Sequence, residues 1–349
     1  MSIWKDPRDQ DPREPELPRW IFLHALRSTL GRTPVWLIVG GVTALLAVLA
    51  TAPWLTHYRS AIDSGYESGT LLVDLDETFR VDNRSARGVV EAATASLSSL
   101  LAFVAALFGT FAAGGWLQVF LEHTQGESVR KFFYGGARFF FRFVRVWLLT
   151  LLLLQLLGWL CYGAPWNLFV LENLFDLAKH DLKDLPSEAT ARRIVLAQDG
   201  LYFVGTMLLF AWGDLTRTRL AAHGTKSALW AGLCTIALLV TRPLRALRPL
   251  ALITLCEATA LWLAGELTAS IDASLTPTSS AWPVLGMFAL GLTVFFVRTV
   301  TRGARYSACV LVTRDYVRPL TRPDPWKHSI GGPGGPRYPI DGDEYGVAL

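Results

Sequence analysis

The sequence predicts an all-α polytopic membrane bundle of about six transmembrane helices, with further helices lying at the membrane interface. Three observations predict it. Six apolar runs, near 33–53, 91–117, 144–163, 196–215, 249–269 and 281–300, each approach the roughly 20 residues that carry a helix across about 30 Å of hydrocarbon. Lys and Arg gather on alternate sides of these runs. One side holds 25 of them, in groups at 1–32, 122–145, 217–248 and 298–337, and the other holds 8, at 59–87 and 179–193. Finally, 52% of the 349 residues are hydrophobic, too many for an ordinary soluble domain, and the 13 Trp and 9 Tyr suit the two interfaces of a bilayer. Because basic loops are retained on the inner side, the charge bias predicts that both termini are cytoplasmic.

Taken in order, residues 1–18 are charged and proline-rich without apolar periodicity, and are expected to form a disordered cytoplasmic tail. The membrane domain is placed at 19–316. It opens with a short helix over 19–32, in which Trp20, Ile21, Leu23, His24 and Leu26 alternate with Arg19, Arg27 and Arg32, the pattern of a helix resting on the inner leaflet. More than 30 residues precede the first run, and Ala50-Thr51-Ala52 is followed by Pro53, so the run is expected to stay as an anchor rather than be cleaved. An outer loop follows, with a short ordered piece at Leu71, Leu72, Val73 and Leu75.

The second span is rich in small residues. Ser98, Ala102 and Ala106 share one face at four-residue spacing, as do Ala105, Gly109 and Ala113, so this helix is expected to pack closely against its neighbours. Between Gly126 and Arg145, Arg138, Arg142 and Arg145 lie on one face while Phe132, Phe139, Phe140 and Phe143 point elsewhere, a stripe suited to the headgroup region. After the leucine-rich third span, Leu171, Leu174, Phe175, Ala178 and Leu182 have helical spacing, and Pro186-Ser187 marks the start of the fourth helix. The run 227–241 is short for a span and ends in Arg242-Pro243, Arg245 and Arg248. It reads as an interfacial or re-entrant helix, because a crossing would move three Arg and all later basic residues outside. A seventh span is the alternative. Residues 317–349, with six Pro and six Gly, read as a flexible cytoplasmic tail.

No signature of catalysis, cofactor binding or metal ligation is legible: there is no glycine-rich phosphate loop, HExxH, GxSxG or CxxC, and the six His are scattered. The four cysteines read as small buried hydrophobes. Nucleic acid is not an expected partner, since a basic inner surface is what anionic lipid selects. Glu257 falls near the middle of the fifth span. A carboxylate there costs about 2.5–3.5 kcal/mol on insertion scales and should face the bundle interior, as a proton or cation site or as a neutral Glu bonded to a Ser or Thr of a neighbour such as the second span. Asp214 closes the fourth span with Arg217 one turn on, which reads as an ion pair fixing the helix end at the inner boundary.

Four places resemble a broad group of bacterial six-helix membrane proteins of unknown function, similar to the membrane domain that precedes the catalytic domain of membrane-anchored glycerophosphodiester phosphodiesterases. They are Gly114-Gly115, the stretch from Gly126-Glu127 to Arg142, Asp214 to Arg217, and Lys226-Ser227-Ala228 with Arg242-Pro243. The resemblance spans residues 20–315 and implies a bacterial cytoplasmic (inner) membrane. The phosphodiesterase domain has no counterpart here, so no activity is implied. The expected function is a non-enzymatic structural or accessory subunit, or a scaffold, whose partners are membrane lipid and another protein or a second copy. A small-solute transporter or channel using Glu257 is the alternative. A lipid enzyme built on Glu122, His123 and Glu127 comes third.

Overall fold

The computed structural model describes residues 20–65, 81, 83–122, 127–173, 187–223, 227–275 and 282–314. Among them every regular element is helical: α1 (Ile21–Leu30), α2 (Thr33–Ala50), α3 (Ala52–Asp63), α4 (Arg84–Leu121), α5 (Ser128–Tyr162), α6 (Glu188–His223), α7 (Ala228–Thr241), α8 (Pro243–Ala273) and α9 (Trp282–Arg314), with a short helical turn through Ala164–Trp166 and Asn167–Glu172 after α5. Six helices are long and apolar enough to cross a membrane. The two tails, the 71–75 segment and residues 174–182 lie outside the described residues.

Local chemistry sets several of the ends. Pro34 and Pro243 stand in the first turns of α2 and α8, where a missing N–H leaves no bond unmade. Ser227 caps α7, its hydroxyl accepting from the Trp230 N–H at 3.2 Å. At Gly163 the chain leaves α5 with the glycine N–H donating to the Trp159 carbonyl at 2.8 Å.

The helices overrun the apolar runs. α4, α5, α6 and α9 hold 38, 35, 36 and 33 residues, so at 1.5 Å per residue they extend about 50–57 Å, some 20 Å beyond the hydrocarbon thickness. The excess lies mainly at one end, where α4, α6 and α9 finish and α2, α5 and α8 begin; we call it the basic end. Two buried clusters sit there. One gathers Val35, Trp116, Leu117, Phe132, Phe139, Phe143, Leu220 and Tyr306 from α2, α4, α5, α6 and α9. The other gathers Ala25, Leu215, Ala246, Leu250, Ile253, Ala304 and Ala308 from α1, α6, α8 and α9. α9 contributes to both and is the central helix.

The closest helix approach is between α4 and α5. A Cβ on Gly114 would stand 2.7 Å from the Gly135 carbonyl oxygen, one on Gly136 would stand 2.5 Å from the Phe111 ring, one on Gly135 would collide with the Gln118 side chain, and one on Gly115 with the Phe132 ring. Two consecutive glycines on each helix therefore let the backbones nearly touch, the close packing that small residues permit. Phe132 fills the adjoining space edge-on to Trp116 and Phe111.

Three expectations are corrected. α1 does not simply rest on lipid: Ala25 and Thr29 are fully buried, and Thr29 meets α9 so closely that a Cβ on Gly303 would stand 2.6 Å from its methyl. The amphipathic pattern was real, but its inner face meets protein. The same holds for the aromatic stretch at the start of α5, where Phe132, Phe139 and Phe143 are core and Phe141 is exposed. Among the cysteines, Cys256 faces outward while Cys161, Cys234 and Cys309 are buried.

The 14 residues of α7 extend about 21 Å. Near its start Ala231 joins the cluster containing Leu220 and Ala221, and near its end Leu239 packs against the cluster containing Leu215 and Leu250. Both ends thus meet the basic half of the bundle.

Candidate functional site

Charged side chains enter the basic half from three helices. Asp214 is buried on α6, four residues beyond the exposed Phe210. Helical spacing brings Arg217 to it, Nη1 to Oδ1 at 3.1 Å, and α9 supplies Arg305, Nη2 to Oδ2 at 2.7 Å. The three side chains are 11%, 11% and 21% exposed, so the pairs are shielded from solvent and screened little by salt. Asp214 therefore does not fix a helix end, since α6 continues to His223. It ties α6 to α9 inside the packed half. The Nε atoms of Arg217 and Arg305 have no hydrogen-bond partner among the described residues. Tyr306, fully buried, lies within electrostatic reach of Asp214, Arg217, Arg302 and Arg305.

Glu257 lies near the middle of α8 and faces α9. The Thr301 hydroxyl donates to its Oε2 at 3.0 Å, and Arg298 Nε stands 3.4 Å from Oε1. The carboxylate is 19% exposed and Arg298 61%. The partner hydroxyl thus comes from α9 and not from the serine-bearing second span, and a guanidinium joins it. One turn further along α9, Arg302 lies over α4, so that a Cβ on Gly109 would be 3.1 Å from its Nη2 and 3.2 Å from its Nη1. Arg302 is exposed.

The small-residue face of α4 divides at this level. Gly109 and Ala113 are buried, Ser98 and Ala106 are half-buried, and Ala102 is exposed. Its lower part packs protein and its upper part does not. Sequence reasoning missed Gly135-Gly136 as the counterpart of Gly114-Gly115, although the dipeptide on either helix was the available signal. It also missed Arg298, Arg302 and Arg305, whose spacing of four and three residues places them on one face of α9.

Elsewhere at the basic end, Glu122 accepts a hydrogen bond from the Gln118 amide and stands 3.9 Å from the buried Lys131 ammonium. It also lines a cavity of about 120 Å³ with His24, Ser28, Arg32 and Ser307. Glu127 pairs with Arg130 at 3.4 Å, and His123 lies outside the described residues. Among the described residues no group of three or more His, Cys, Asp or Glu is placed to hold a metal.

In chemical terms the arrangement sets four guanidiniums, of Arg217, Arg298, Arg302 and Arg305, against two carboxylates. Each carboxylate is held by arginine, and the excess of guanidiniums leaves a net positive charge in the basic half. In comparisons with protein-family models, with curated proteins and with solved structures, nothing matches this chain.

Proposed function

We propose that this protein is a non-enzymatic scaffold or accessory subunit of a bacterial cytoplasmic membrane, with the basic end and both termini in the cytoplasm. The observation that carries the reading is the contrast between a packed base and apolar arms that bury less of themselves on one another. Only 11–44% of the residues in each apolar span window are buried within the protein, so the arms offer a wide lateral surface to lipid and to other membrane proteins. Within hydrocarbon, apolar side chains gain little by exchanging lipid for a neighbouring helix. The base holds the arms in place, and the ion pairs of Asp214 and Glu257 join α6, α8 and α9 within it. Both carboxylates serve that joining, which leaves neither as an open ion-binding group. The orientation is supported by the excess of Lys and Arg on the side of the basic end.

The test is to purify the tagged full chain from its native membrane in mild detergent, weigh the complex and identify what comes with it. A stoichiometric protein partner, or a stable assembly of several copies, is the expected result. A monomer without partner that moves small solutes in proteoliposomes, with flux lost in Glu257→Gln, would replace this reading with the transporter. Reporter fusions at the C-terminus and after Ser64 check orientation, with cytoplasmic and periplasmic signals expected in that order.

A further inference from the structure

We propose that Arg302, with Arg298 beside it on α9, binds the phosphate of an anionic phospholipid from the leaflet at the basic end. The inference goes beyond the scaffold reading and rests only on the basic end standing at headgroup level. Three observations support it. The first is charge. Arg298 approaches Glu257 with Nε at 3.4 Å from Oε1, its side chain 61% exposed, and among the described residues Arg302 is paired with no carboxylate. An anion is the ligand that two such guanidiniums favour, and guanidinium forks match phosphate oxygens bidentately.

The second is the seat. Arg302 has its guanidinium laid on the α4 backbone at Gly109, where a Cβ would be 3.1–3.4 Å from its Nη and Cζ atoms. The side chain is therefore positioned before a ligand arrives, so less rotamer freedom is lost on binding. Arg298 is held from the other side by Glu257 of α8, and the two lie one turn apart.

The third is depth. Residues 282–297 of α9 carry no charge, so Arg298 and Arg302 stand where the uncharged stretch of α9 ends. Beyond them, Phe288 is exposed, and Ala102 on α4 is exposed with Ser98 and Ala105 half-buried on the face leading to Gly109. Small side chains there leave a lane for an acyl chain. A phosphate carrying acyl chains satisfies both the cationic floor and the apolar approach, whereas a free phosphate uses only the floor.

Native mass spectrometry of the full chain tests this after incubation with phosphatidylglycerol, with phosphatidylcholine, or with phosphatidylglycerol in the presence of excess inorganic phosphate. We expect one retained phosphatidylglycerol per chain, little retained phosphatidylcholine, and no displacement by inorganic phosphate. Arg302→Gln should weaken retention about tenfold, the effect of one lost bidentate pair. Gly109→Ala should weaken it while every charge is kept, whereas Arg145→Gln, an exposed arginine of α5, should leave it unchanged. Full retention by the Arg298→Gln/Arg302→Gln double variant, equal retention of phosphatidylcholine, or an equal loss in Arg145→Gln would overturn the proposal. Displacement by inorganic phosphate would overturn its lipid part and assign the site to a soluble anion. Thermal midpoints of the variants accompany each measurement, and Gly109→Ala keeps the test meaningful if Arg302→Gln lowers stability.

Discussion

From Gly109 to Phe120, α4 buries eleven side chains or glycine backbones, and from Arg84 to Phe108 it buries none. α9 divides in the same way, with exposed Leu285 and Phe288 before Arg298 and buried Thr299, Ala304, Tyr306, Ala308 and Cys309 after it. One continuous helix thus obeys two sets of rules. In the basic half, removing Trp116, Phe132 and Tyr306 from water stabilises by roughly 25 cal/mol per Å² of apolar surface. In the apolar half the solvent is itself hydrocarbon, so Leu152 or Phe203 gains little by turning inward, and both are exposed. The comparison teaches that the half which identifies the protein as membrane-embedded is not the half that specifies its fold.

The sharpest way to break this comparison is to place the same bulk in each half. Gly114→Leu drives a side chain into the Gly135 carbonyl, 2.7 Å from its Cβ, and neither backbone can yield without separating α4 from α5. The expected cost is at least about 3 kcal/mol, the upper end for overpacking, read as loss of a monodisperse species in detergent or a collapse of the denaturation midpoint. A Cβ on Gly265 of α8 meets nothing within 4 Å. Gly265→Leu should therefore stay within about 0.5 kcal/mol of the parent, helped slightly by better helix propensity. Equal losses would show that the apolar half packs as tightly as the base.

Charge offers the next contrast. Asp214→Asn leaves Arg217 and Arg305 facing each other in a site where their side chains are 11% and 21% exposed, and breaking such a pair costs about 3–5 kcal/mol. Glu91→Gln removes the partner of Arg87 near the start of α4, a pair 54% and 40% exposed, and should cost no more than about 0.5 kcal/mol. Chemical denaturation in micelles reads both. A small effect of Asp214→Asn would mean that water reaches the two guanidiniums.

What the sequence makes legible follows the same divide. Six spans and their bias of charge are carried by composition and by period, which act locally, and the Asp214 to Arg217 spacing is local too. Arg305 and Arg298 reach Asp214 and Glu257 from a helix far along the chain, and no spacing rule connects such residues. A Ser or Thr of a neighbouring helix is the partner the sequence predicts for Glu257; Thr301 supplies that hydroxyl, from α9 rather than from the second span, and Arg298 joins it. The apolar runs are shorter than the helices that contain them because flanking Arg, Glu and Gln end a hydropathy run without ending a helix. Gln118 and Lys131 are buried in those extensions, where amphipathic helices pack on protein outside the hydrocarbon. The Gly-Gly dipeptides are visible in the sequence, but only geometry shows that they face one another.

The smallest expected effects sharpen the contrast most finely, because they compare two aromatic side chains that each donate one hydrogen bond. Trp212, 6% exposed, donates from Nε1 to the Gly232 carbonyl at 3.0 Å and so joins α6 to α7. Its ring is also seated against the glycine, where a Cβ would be 2.7 Å from Cζ2. Trp212→Phe removes this bond between the two helices and opens a small void, for an expected loss of about 1–3 kcal/mol. At the opposite end of the bundle, the Tyr162 hydroxyl donates to Asp199 Oδ1 at 2.7 Å, between exposed side chains of α5 and α6. The acceptor is charged, which strengthens the bond, but water at the membrane surface can replace the lost donor. Tyr162→Phe is therefore expected to cost less than about 0.5 kcal/mol, measured as the shift in midpoint at constant slope. The Gln198 amide also donates to the Cys161 carbonyl at 2.7 Å, so α5 and α6 keep a tie at this end after the hydroxyl is gone. A loss in Tyr162→Phe as large as that in Trp212→Phe would mean that this outer tie, and not the base alone, sets how the arms are held.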